Sequence, residues 1–143
     1  MLRSILAMML MACLTVSAVA DEPLTHTTDS LETVKENVKA GKAVIVDVRE
    51  QAEWDEKHVA GAIHLPKSKL ELSSGLEELV KQLDKSKTIY THCGAGKRAL
   101  ACGEILKKAG FDVKPLKPGI NQLLEAGFEK GKTPASEKPA TPK

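Results

Sequence analysis

The sequence predicts an α/β domain built on a central, mostly parallel β-sheet with helices on both faces. Three observations predict it. Ala43-Val44-Ile45-Val46-Asp47-Val48 is a near-continuous apolar run, the pattern of a strand buried on both faces. Thr88-Ile89-Tyr90-Thr91 is β-branched or aromatic, as a central strand prefers, and runs directly into His92-Cys93-Gly94. Segments of helical spacing alternate with these runs, so the strands need crossover connections. The 143 residues suffice for one domain with a compact core. Hydrophobic residues make up 42% and aromatics only 3%, so that core must be aliphatic. A net charge of +2 with mixed signs argues against nucleic acid as a partner.

The elements follow in order. Residues 1–20 read as a cleaved signal peptide: Arg3, then an apolar stretch from Ile5, then the small-x-small site Ala18-Val19-Ala20. The mature chain is then expected to begin at Asp21, outside the cytoplasm, with no membrane segment left. Leu10-Met11-Ala12-Cys13 offers a poorer alternative, a lipoprotein site, because the residues after Cys13 stay apolar. Thr28, Asp29 or Ser30 can cap a first helix that carries Leu31, Val34 and Val38 on one face and stops at Gly41. After the 43–48 strand, Glu50 to Glu56 reads as a short helix. Ile63-His64-Leu65 reads as an extended piece halted by Pro66. Ser74 is expected to cap a helix from Gly75 to Leu83, with Leu76, Leu79, Val80 and Leu83 inward. The 88–91 strand leads to a helix from Lys97 to Ala109, ended by Gly110. Asp112 to Leu116 reads as a further strand and Gly119 to Ala126 as a last helix. Residues 129–143 lack periodicity and are rich in Lys, Pro, Thr, Ser and Ala, which predicts a disordered tail. The folded domain is therefore expected over 21–128.

The chemistry concentrates around Cys93. A cysteine at a strand end, followed by Gly94-Ala95-Gly96 and a helix start, faces backbone amides and the positive end of a helix dipole. Such surroundings lower a thiol pKa from about 8.5 toward the roughly 3.5–7.5 range of reactive cysteines. Lys97 and Arg98 add cations where the helix dipole disfavours them, so their placement calls for an anion nearby. Cys102 lies nine residues on, inside the following helix. A disulfide to Cys93 would unravel the helix start, so Cys102 reads as a small buried residue. His92 is tempting as a base, but strand neighbours point to opposite faces. Glu53 could pair with Arg49 at helical spacing. Trp54 is expected in the core and His58 in a structural hydrogen bond. No histidine pair has metal-ligand spacing and no cofactor motif occurs, so neither metal nor cofactor is expected.

These motifs together resemble those of the single-domain rhodaneses, a sulfurtransferase family of α/β fold. Asp47-Val48-Arg49-Glu50, Glu53-Trp54 and His58-Val59-Ala60-Gly61-Ala62-Ile63-His64-Leu65-Pro66 are similar to the family's N-terminal signature. Cys93-Gly94-Ala95-Gly96-Lys97-Arg98 is similar to its six-residue active-site loop. Two departures occur near the C-terminus. The first residue of a usual Gly-Gly pair is Pro118, and a tryptophan position is Leu123. The resemblance implies that Cys93 takes the sulfane sulfur of thiosulfate, or of a similar donor, as a persulfide. Cyanide or a thiol acceptor, including a protein thiol, then removes it. Residues Gly94, Ala95, Gly96, Lys97 and Arg98 would bind the substrate, while Asp47 and Arg49 brace the loop. A leader on one such domain is similar to the periplasmic thiosulfate sulfurtransferases of bacteria, and a monomer is expected.

Other functions fit less well. Phosphatases and arsenate reductases on this scaffold place five residues between Cys and Arg, and here only four intervene. Binding modules on the fold usually lack the cysteine. A sulfur carrier serving a partner protein is not separable from a thiosulfate enzyme by sequence.

Overall fold

A computed structural model describes residues 22–133, and the expected leader therefore lies outside the described residues. Nine elements follow one another among the described residues. They are α1 (Leu31–Lys39), β1 (Ala43–Asp47), α2 (Gln51–Glu56), β2 (Ile63–His64), α3 (Lys67–Leu70), α4 (Leu76–Val80), β3 (Thr88–His92), α5 (Lys97–Lys108) and α6 (Ile120–Glu125). The strands form one parallel sheet in the order β2-β1-β3. β1 is central and pairs along its whole length with β3, from Ala43 opposite Thr88 to Asp47 opposite His92.

Period-two alternation distributes the two strands between two cores. Val46 and Val48 of the β1 segment, with Ile89 and Cys93 of the β3 segment, join Cys102 and Leu106 of α5 and Leu70 of α3 on one face. Ala43, Ile45 and Tyr90 meet Val34 of α1 with Ile120 and Leu123 of α6 on the other. The helices thus cover both faces, as the apolar runs predict. Leu123, at the position where the family resemblance expects tryptophan, is fully buried in the second core, so that departure alters packing behind the sheet.

The segment 112–116 does lie beside β3, joined by a single parallel bridge, Ile89 to Val113. The N–H groups of Lys114 and Leu116 donate to Ile89 and Thr91, while that of Ile89 donates to Asp112. Pro115 stands on the outer side of this edge, where it needs no ladder donor. Its carbonyl accepts the Thr27 N–H at 2.8 Å, so the N-terminal segment covers the edge.

Several boundaries differ from the sequence expectation. Ser30 alone caps α1, its Oγ accepting the Thr33 N–H at 3.1 Å. Asp29 instead accepts the Tyr90 hydroxyl at 2.6 Å and Lys114 at 2.9 Å. Ser74 does not cap α4. Gly75 does so in the left-handed region (φ 101°), which glycine enters without a Cβ clash. The helix stops at Val80, and a tighter turn, Leu83 N–H to the Val80 carbonyl, delivers Leu83 to the core. The tail is ordered farther than expected. The Val59–Lys130 bridge, with Ala60 N–H to Glu129 and Gly131 N–H to His58, pins residues 129–131 to the 58–60 loop. Residues 134–143 lie outside the described residues.

The Tyr90 hydroxyl also accepts Asn37 at 3.1 Å, so one buried ring ties β3 to α1 and to the segment before it. Tyr90→Phe should lower unfolding free energy by about 1.5 kcal/mol, the scale of a hydrogen bond to a charged group, as read by urea denaturation.

Candidate active site

The carboxyl ends of β1 and β3 lie side by side and deliver Asp47 and Cys93 to one end of the sheet, where parallel α/β sheets place their sites. Cys93 follows directly on β3, beneath the loop that comes after it. It is 1% exposed and belongs to the first core. Its Sγ accepts the Gly96 N–H at 3.1 Å, so the loop folds back over the sulfur. Gly94 and Ala95 form the exposed rim, and α5 starts immediately after Gly96. Gly96 is left-handed (φ 90°) and buried.

Close approach by residues 117–119 shapes the loop from outside. A Cβ on Gly119 would fall 2.2 Å from the Gly94 carbonyl oxygen, so only glycine lets this segment pass under the loop. Gly119 N–H donates to Gln122 Oε1 at 3.0 Å, which starts α6. Two depressions flank Gly94. One of about 330 Å³ is lined by Arg49, Glu53, Gly94, Gly119, Ile120, Asn121 and Gln122. The other, of about 310 Å³, is lined by Gly94, Ala95, Lys117, Pro118 and Gln122. The larger grooves elsewhere have no cysteine in their lining, so chemistry and not size locates the site.

The cations take different roles. Arg98 forms a two-pronged pair with Glu53, at 2.7 and 2.9 Å. The expected Glu53–Arg49 pair does not form. Arg49 is buried against Asp47 through its Nε and Nη2, and Nη2 also donates to the Lys57 carbonyl at 2.8 Å. Arg49 is already taken by Asp47, so Glu53 turns to the loop. The Arg98 hydrogen bonds pull the Glu53 carboxyl from its ordinary 4.5 down to about 2. Glu53 in turn raises Arg98, with the Cys93 sulfur adding to the effect. Lys97 is exposed and has no ion pair among the described residues.

Asp47 and Arg49 form a buried ion pair at the end of β1. Burial pushes the Asp47 carboxyl up, but His92 beside it and the hydrogen bonds from Arg49 outweigh this and hold it well below the usual carboxylate range. His92 Nε2 stands 3.3 Å from Asp47 Oδ2, poorly aligned for a hydrogen bond. His92 shares the Asp47 face of the sheet, opposite Cys93, as strand alternation predicts. Neither Asp47 nor Arg49 bonds directly to residues 94–98. Their link to the loop runs through His92, the chain neighbour of Cys93.

Cys102 is fully buried, burial pushes its thiol up to about 12, and Cys93 and Cys102 are not bonded to each other. Trp54 is not a core residue. It is half-buried between the rings of His58 (3.8 Å) and His64 (4.6 Å). His58 Nδ1 meets the Trp54 carbonyl at 3.0 Å, the structural bond expected of it. The role of Glu53 as partner of Arg98, and of Asn121 and Gln122 as walls, has no signature in spacing. Those residues come to the loop from at least 23 positions away in the sequence.

The Glu53–Arg98 pair sets a pH window. The carboxyl is depressed, so its contribution to stability is complete above about pH 4.5 and is lost as pH falls toward about 2. Glu53→Gln should flatten the acid limb of a stability–pH curve in that window. An unchanged limb would show the pair to be too solvent-screened to matter.

Residues 30–126 match the family model described as Rhodanese-like domain. Thiosulfate sulfurtransferase GlpE of Coxiella burnetii is 34% identical over 76 residues, covering 53% of this chain and 65% of that protein. Putative sulfur carrier protein YrkF of Bacillus subtilis is 31% identical over 83 residues, covering 57% of this chain and 42% of that protein. The chain thus spans less than two thirds of the length of these curated relatives. Among solved structures, a rhodanese-related protein from Thermoplasma volcanium superposes with a TM-score of 0.56 at 28% identity, covering 70% of this chain and 92% of that one. A protein of Bacillus halodurans does so with a TM-score of 0.62 at 28% identity, covering 78% and 80%. A glycine-rich loop closing over a strand-end cysteine, on this parallel sheet and with this family match, makes the chain a member of the rhodanese-like domain family.

Proposed function

We propose that the protein is a thiosulfate sulfurtransferase that works through a persulfide on Cys93. The observation that carries this reading is the Gly96 N–H directed at the Cys93 sulfur within the six-residue loop. A thiolate held there attacks the outer sulfur of thiosulfate. An S–S bond forms to Cys93, the S–S bond of thiosulfate breaks, and sulfite leaves with the electron pair. Cyanide then attacks the outer sulfur of the persulfide, thiocyanate departs, and the thiolate is regenerated. The Gly96 amide and the α5 N-terminus stabilise negative charge on sulfur as an oxyanion hole does on oxygen. Lys97, free of partners among the described residues, is available to attract the dianionic donor. Arg98 reaches the same region but is shared with Glu53.

A second reading, transfer of the persulfide sulfur to a protein thiol, draws support from the similarity to a protein named as a putative sulfur carrier. Intact mass tests both. Thiosulfate should add one sulfur atom to Cys93 and cyanide should remove it. Cys93→Ser should show no adduct, whereas Cys102→Ser should keep it. Loading without catalytic turnover to cyanide would favour the carrier. An adduct on Cys102 would overturn the assignment.

The proposal includes export. The Arg3 start, the apolar stretch and Ala18-Val19-Ala20 support a mature N-terminus at Asp21 in the periplasm. Cell fractionation with N-terminal peptide mapping should recover that end. A cytosolic chain beginning at Met1, or one beginning at lipidated Cys13, would refute it.

A further inference from the structure

The segment before α1 reaches the catalytic loop, and nothing in the sequence motifs prepares for this. It crosses α5 in an extended strap fixed at four places. Lys107 donates to the Glu22 carbonyl, and the Leu24 N–H donates to Glu104. The Leu24 side chain fills the space over Gly103, where a Cβ would lie 2.7 Å from it. Thr27 N–H donates to the Pro115 carbonyl. Between these anchors, half-buried His26 points its Nε2 at the Gly96 carbonyl oxygen, 3.0 Å away. A carbonyl only accepts, so Nε2 carries the proton in this contact.

Gly96 is the residue whose N–H meets the Cys93 sulfur. It is also left-handed, a conformation that glycine does not hold by itself because it has other wells of similar energy. Two surfaces pack closely against it. A Cβ there would lie 2.6 Å from His26 Nε2 and 3.0 Å from the Lys117 Cα. His26 therefore touches the carbonyl side of the residue that presents its amide to the nucleophile.

We propose that His26 is a positioning residue, locking Gly96 so that its N–H stays aimed at the Cys93 sulfur, and that the strap of residues 22–27 is part of the active site. This rests on the reading of Cys93 as the nucleophile. His26 touches neither sulfur nor substrate and acts through Gly96 alone.

The test compares His26→Ala with His26→Gln in the full chain, since the glutamine Nε2 can donate to the same carbonyl. Two readouts are taken: hydrogen exchange of the loop amides, and kcat and KM for thiosulfate with cyanide. Loss of one hydrogen bond corresponds to about a five-fold effect. In His26→Ala the Gly96 amide should exchange about five-fold faster, with exchange in α1 and the middle of α5 unchanged. The kcat should fall by a similar factor at constant KM, and Gln should restore both. Wild-type loop exchange in His26→Ala would overturn the proposal, as would faster exchange spread evenly through the domain. If the wild-type protein shows no turnover, the sulfurtransferase reading fails while the exchange measurement still decides the role of His26.

Discussion

The parallel register of β1 on β3 is the constraint on which the site depends. With Asp47 opposite His92, every side chain of the two strand ends has an assigned face. Cys93 goes to the face covered by α5, and His92 to the face that holds Asp47. A slip of one residue would exchange them, leaving a histidine under the loop and the sulfur against a buried carboxylate. Burial of both faces by aliphatic side chains enforces the register more strongly than a single hydrogen bond could.

Charge is organised in two layers around that register. The inner layer, Asp47 with Arg49, is desolvated and internally satisfied, and it ties the end of β1 to the carbonyl of Lys57. Loss of either partner alone would strand the other's charge in the interior, so the pair serves as scaffolding. The outer layer, Glu53 with Arg98, is partly exposed and adjacent to the sulfur. An anion entering this loop would have to compete with Glu53 for that guanidinium, whereas Lys97 would need no displacement. The same loop therefore offers one cation that is free and one that is held.

Two glycines make the loop possible, for different reasons. Gly96 supplies a left-handed turn that brings its amide back to Sγ. Gly119 supplies absence of volume, allowing the chain before α6 to pass against the Gly94 carbonyl. Replacing the usual neighbouring glycine with Pro118 leaves this approach intact, because the close contact belongs to residue 119.

Much of this protein was legible in its sequence. The apolar runs at 43–48 and 88–91, the strand alternation that separates His92 from Cys93, and the Cys93–Arg98 loop follow from local pattern and short spacing. These properties are decided by neighbours in the chain. Other features were decided only by tertiary structure. Glu53 pairs with Arg98 and not Arg49, because Asp47 already occupies Arg49. Trp54 lies between two histidines brought from different turns of the chain. Residues 129–131 are held by the 58–60 loop despite a composition that reads as tail. His26 reaches Gly96 across 70 residues. Each of these depends on which of several possible partners is nearest once the sheet has formed, and one-dimensional spacing carries no information about that competition.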